Sequence, residues 1–159
     1  MSELHEGLEV INYNWKSDIE DVFDNPLCSI EEFYEEIWIQ SQTAFDMPRE
    51  VQVIIDVNNQ LFMSVGNPGF VSFEGQDAEL YNRERKMKLP IVEWIHTHPF
   101  GHAYFSGTDW MTINMWQHNM EKATVLGNNE RATFEPRNGS VDRAYETHTK
   151  VKIHGEEEE

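Results

Sequence analysis

The chain has 159 residues, 39% hydrophobic and 12% aromatic, enough apolar content for one core and too much for a disordered chain. Twenty-nine acidic against twelve basic residues leave a formal charge of −17, which argues against nucleic acid and anionic membranes as partners. A single cysteine, Cys28, excludes an intramolecular disulfide and a cysteine-built zinc site, so any metal must be held by His, Asp or Glu.

The charge has two readings, plain solubility or a basic partner such as a Lys- or Arg-bearing peptide tail. The N-terminus lacks a basic stretch followed by an apolar run, and no segment approaches the roughly 20 apolar residues of a membrane span. The expected location is therefore cytoplasmic. One domain is expected over residues 1–154, followed by an acidic, disordered tail at 155–159.

Residues 1–36 are rich in carboxylates and offer one short strand candidate, Leu8 to Trp15. A helix is predicted from Ser29 to Phe45, because Ile30, Phe33, Tyr34, Ile37, Trp38, Ala44 and Phe45 fall near one face. Ser29 and Glu32 have capping-box spacing, and Pro48 closes the segment. The β-branched run Arg49 to Val57 and the run Leu61 to Gly66 read as a hairpin turning at Asn58-Asn59-Gln60. A loop follows, with a short strand candidate at Phe70 to Phe73 and a basic cluster of Arg83, Arg85, Lys86 and Lys88 that reads first as a solvated loop.

Leu89 to His98 is the next strand, and a second helix is predicted over Ser106 to Ala123. Ala123 to Glu135 reads as a hairpin turning at Gly127 to Asn129, and Val141 to Ile153 as a last strand. The pattern supports a mixed α/β domain with two main helices and about six strands.

Successive side chains of a strand alternate faces, so His96 and His98 share one face while Thr97 and Glu93 point to the other. Two adjacent imidazoles are a natural start for a zinc site, which needs a third ligand. Asp109 is the best placed, since Pro99 ends the strand and the loop returns the chain to a helix start. Ser106 to Asp109 also has the spacing of a helix capping box, which needs no metal, and the two readings are compatible. His102 reads first as a solvated loop histidine and, less simply, as a contact to substrate or to the residues that support the ligands. Trp94, Trp110 and Trp116 read as core or as a binding stripe.

The sequence His96-Thr97-His98-Pro99, then the run to Phe105, then Ser106-Gly107-Thr108-Asp109, resembles the JAMM motif of MPN-type (JAB-domain) zinc metalloproteases, the deubiquitinase-like isopeptidases. Trp94 before the first histidine is similar to that family's strand. The family's upstream glutamate, at the start of a strand that follows a helix, matches Glu50 in Pro48-Arg49-Glu50-Val51, although Gln52-Val53 stands where a glycine often follows. The likeness spans Ser29 to Met120.

The resemblance implies a curved mixed sheet packed with helices, of cytidine-deaminase-like architecture. It implies one Zn²⁺ held by His96, His98 and Asp109, with water in the fourth position, Glu50 as general acid–base and Ser106 as a donor to the oxyanion. The implied activity is cleavage of peptide or isopeptide bonds after a ubiquitin-like protein or another protein tail. The alternative is an MPN-type scaffold or binding module, with zinc structural or absent; scaffold members lose the ligand residues, whereas this chain has them all.

Overall fold

The computed structural model describes residues 8–66 and 87–145. The strand candidate at Phe70 to Phe73, Arg83, Arg85 and Lys86, the end of the last predicted strand and the acidic tail lie outside these residues. Among the described residues there are three α-helices, a single 3₁₀ turn and one six-stranded mixed sheet.

The first helix, α1 (Trp15–Asp24), stands where a strand was expected nearby. Val10 makes only an isolated bridge to Phe45, and the chain turns into a helix at Trp15. Trp15 and Ile19 are buried and Val22 and Phe23 half-buried at i, i+4, i+7 and i+8, so the helix exists by virtue of its apolar stripe. That stripe meets α2 (Ile30–Thr43) through ring contacts such as Phe23 on Phe33 at 5.0 Å.

α2 begins as its sequence requires. Glu32 N–H donates to Ser29 Oγ at 3.1 Å, and Ser29 N–H donates to Glu32 Oε1 at 2.7 Å, so two of the helix's unpaired amides are satisfied. The helix ends at Thr43, ahead of Pro48, because Ile11 and Asn12 amides take the Ala44 carbonyl and draw the chain out of helical geometry. Ile30, assigned to the apolar face, is 47% exposed.

The strands are β1 (Val51–Asp56), β2 (Leu61–Val65), β3 (Ile91–Thr97), β4 (Ala123–Gly127), β5 (Glu130–Phe134) and β6 (Val141–Tyr145), in the spatial order β2-β1-β3-β4-β5-β6. Neighbours are antiparallel except β3 and β4, which are parallel. A parallel pair needs a crossover, and α3 (Gly107–Trp116) with the 3₁₀ turn supplies it. The predicted helix to Ala123 thus stops seven residues early: the Glu121 amide bonds the Ile91 carbonyl, Trp94 N–H takes the Lys122 carbonyl, and Ala123 already belongs to β4.

Alternation sorts the core into two clusters, one on each face of the sheet. Val51, Val53, Ile55, Leu61, Met63, Ile95 and Leu126 pack with α1 and α2. Ile54, Phe62, Trp94, Val125 and Ala132 pack with Ala103, Phe105 and Ile113 of the crossover. Trp110 and Trp116 lie half-buried against this second cluster, and Trp110 meets Phe134 at 4.9 Å, so they read as core. Among the described residues no helix is long and apolar enough to cross a membrane.

Candidate metal centre

Three element ends meet at one corner of the second face. Because β1 runs antiparallel to β3, with Gln52 opposite His96, the residue before β1 comes alongside the residue after β3, and these are Glu50 and His98. α3 starts over the same corner, with Asp109 in its first turn. Thr97 points to the opposite face, where its Oγ1 accepts the Val51 amide at 3.0 Å. Glu93 is there too, accepting Tyr34 Oη at 2.6 Å and Thr124 Oγ1 at 2.7 Å, and takes no part in the corner.

The three expected ligands and Glu50 converge. Asp109 Oδ2 lies 3.1 Å from His96 Nε2 and 3.4 Å from His98 Nε2. Ligand atoms held at about 2.0–2.1 Å around a tetrahedral centre stand roughly 3.3–3.4 Å apart, so this spacing suits zinc. Glu50 Oε2 is farther out, 3.9 Å from His98 Nε2, and Glu50, His96 and His98 offer ligand atoms all within 4.8 Å of one another. His96 and His98 therefore have two carboxylates in reach as a third ligand.

Both readings of Ser106 and Asp109 hold at once. The Asp109 amide donates to Ser106 Oγ at 3.1 Å and the Ser106 amide to Asp109 Oδ2 at 2.9 Å, a complete capping box. The cap fixes the Asp109 rotamer that faces the histidines.

The histidine environments favour metal binding. His96 is 1% exposed, with its ring stacked on Trp94 at 4.5 Å. Neither of its ring nitrogens has a hydrogen-bond partner among the described residues, for although Asp109 Oδ2 is close it is not aligned with a ring N–H. Buried imidazole nitrogens without a hydrogen-bond partner, beside a second imidazole and two carboxylates, have the chemistry of a metal-ligand set. His98 Nδ1 lies 3.2 Å from the His102 carbonyl, which can only accept; Nδ1 carries the proton and Nε2 keeps its lone pair.

Charge and burial set the protonation states. Burial lowers the His96 pKa against the pull of Asp109, so this ring stays neutral. Burial also works against a charged His98, but the Asp109 and Glu50 carboxylates and the His102 carbonyl together raise its pKa. Asp109 is held well below the usual carboxylate range, since contacts with both histidines and the Ser106 amide outweigh its burial. Glu50 is pushed up from 4.5 to about 7, by burial first and by the Asp109 charge, with His98 opposing.

Several neighbours of the corner make contacts that the motif spacing does not specify. Tyr104 packs its ring edge on His98 at 4.9 Å, and Trp94 Nε1 donates to Gln52 Oε1 at 2.9 Å behind the His96 stack. His102 keeps its side chain 88% exposed, as a loop histidine would, but its Nδ1 meets Glu130 at 2.9 Å and its carbonyl meets His98. Strand alternation could have placed Trp94 beside His96; nothing local could have paired residue 102 with residue 130.

Comparison with family models, with curated proteins and with solved structures finds no match to this chain.

Proposed function

We propose that this chain is a zinc-dependent hydrolase of the JAMM/MPN type, with the curved JAB-domain fold, that cleaves peptide or isopeptide bonds. The observation that carries the reading is the convergence of His96, His98, Asp109 and Glu50 on one corner, from three separated stretches of chain. The order of elements supports it as well: helix, glutamate, hairpin, histidine strand, aspartate helix.

His96 Nε2, His98 Nε2 and Asp109 Oδ2 would hold the ion. When bound, zinc supplies a Lewis acid for the scissile carbonyl and for acidifying water. Glu50, at the greater distance and with a pKa near neutrality, takes a proton from the attacking water and returns it to the leaving amine. Ser106 Oγ accepts the Asp109 amide, which leaves its own hydroxyl proton to donate to the carbonyl oxygen as charge develops there. Among possible tails, the net charge of −17 favours a basic one following a ubiquitin-like or other protein. The same reading puts the protein in the cytoplasm, where Cys28 stays reduced.

The test is cleavage of isopeptide-linked ubiquitin-like dimers and of peptides with basic tails by the zinc-loaded chain beside Glu50→Gln. The variant is expected to keep its zinc and its fold while kcat falls by ~10²–10⁴. Equal turnover by the variant, or no cleavage of any substrate by the zinc-loaded chain, would overturn the hydrolase reading in favour of a scaffold.

A further inference from the structure

His98 lies just past β3, so strand pairing alone does not aim its ring. Its orientation comes from the contact of Nδ1 with the His102 carbonyl at 3.2 Å. That carbonyl belongs to the same planar peptide unit as the Ala103 N–H, and in a trans unit the two groups point in opposite directions. The Ala103 N–H is taken by Glu130 Oε2 at 2.8 Å, and the same oxygen meets His102 Nδ1 at 2.9 Å. One buried carboxylate, 8% exposed, thus grips the back of the peptide whose front faces a ligand.

The turn that carries Glu130 is fitted to that peptide. A Cβ on Gly127 would stand 2.5 Å from Ala103 N and 2.7 Å from the His102 carbonyl carbon, so any larger residue would displace the unit. Next to it, the Asn128 amide donates to the Gly101 carbonyl at 3.1 Å, and the His98 amide donates to the Leu126 carbonyl at 2.8 Å. From β6, Arg143 Nη1 donates to the Ala103 carbonyl at 2.5 Å. The loop between the ligands is therefore clamped by β4, β5 and β6.

We propose that Glu130 is a positioning residue of the metal centre: by gripping the His102–Ala103 peptide it fixes the tautomer and orientation in which His98 offers Nε2. This rests on the metal reading above, and it adds a residue that neither the motif nor its spacing contains. Carboxylates that orient a ligand histidine usually touch the ring itself; this one acts through a backbone carbonyl.

The experiment compares the wild-type chain with Glu130→Ala and Glu130→Gln by two readouts. The first is ¹H–¹⁵N correlation of the histidine rings in the metal-free protein at alkaline pH, which reports the His98 tautomer. The second is zinc affinity by competition with a chromophoric chelator. Expected are a His98 ring protonated at Nδ1 in the wild type, a mixed tautomer in Glu130→Ala with roughly 10-fold weaker zinc binding, and near wild-type behaviour in Glu130→Gln, whose amide oxygen still accepts the Ala103 N–H. Where Glu130→Ala does not fold, Glu130→Asp, which withdraws the carboxylate by one methylene, is read in its place with the same expectation.

A folded Ala or Asp variant with unchanged tautomer and unchanged zinc affinity would overturn the proposal, as would a Gln variant as impaired as Ala. Absence of zinc binding by the wild type, with the tautomer shift still present, would leave the clamp standing and remove the hydrolase reading instead.

Discussion

Glu50 is 6% exposed and sits beside Asp109, so ionising it in the folded chain is costly. Its folded pKa, about 7, lies above the ordinary 4.5, which means the folded state binds this proton more tightly than the unfolded state does. The resulting stability is fully present below the unfolded value and is lost as pH rises through about 7. Metal-free protein is therefore expected to lose roughly 3 kcal/mol of unfolding free energy between about pH 4 and pH 8 from this group. Denaturant titrations across that range measure it, and Glu50→Gln should flatten that part of the slope. A variant with the wild-type slope would place the pH dependence elsewhere. Zinc in the corner would stabilise the carboxylate form, so the same titration in excess zinc should also be flatter.

At the scale of elements, the described residues contain two complete capping boxes with different consequences. Ser29 caps α2 in a position remote from the histidines, whereas Ser106 caps α3 and fixes Asp109 against them. Ser29→Ala is expected to cost about 1 kcal/mol, or about 2–4 °C in Tm, without changing turnover. Ser106→Ala should cost a similar amount of stability and in addition lower kcat by ~10², having lost a hydroxyl donor and loosened a ligand. Thermal melts and steady-state kinetics on both variants separate the two roles; equal turnover in both would remove Ser106 from the chemistry.

How far these elements could be read in advance depended on whether the deciding interactions were local. The caps at Ser29 and Ser106, the hairpins and the pairing of His96 with His98 across one strand face rest on spacings of two to four residues, and the sequence displays them. α1 was hidden because the β-branched and aromatic run before it resembles a strand, although Trp15, Ile19, Val22 and Phe23 have helical spacing. The early end of α3 was hidden because its cause is the pairing of Met120 with Ile91 and of Ala123 with Trp94, contacts that exist only in the folded chain. Glu130 was hidden for the same reason, since its partners are 27 and 28 residues away.

Across the whole molecule, the sheet divides two cores and carries the candidate site at one corner of one face, where three element ends meet. β1 brings Glu50, β3 brings the histidines and the crossover to β4 brings Asp109, so the single parallel pair in the sheet is what puts an α-helix N-terminus over the strand ends. The first-face cluster of Glu93, Tyr34 and Thr124 is satisfied internally and lies away from the second-face corner that holds Glu50 and Asp109. On the proposed reading the distances separate their roles: Asp109, at 3.1 and 3.4 Å from the ring nitrogens, would be the ligand, and Glu50, at 3.9 Å, the base. The most direct check is zinc per chain in the purified protein, by mass spectrometry of the metal, for the wild type, Asp109→Ala and Glu50→Gln. The prediction is about one zinc per chain in the wild type and in Glu50→Gln, and loss of zinc in Asp109→Ala, in keeping with a three-ligand site. A wild-type chain that takes up no zinc even when it is supplied, or an Asp109→Ala variant that keeps a full complement, would contradict it.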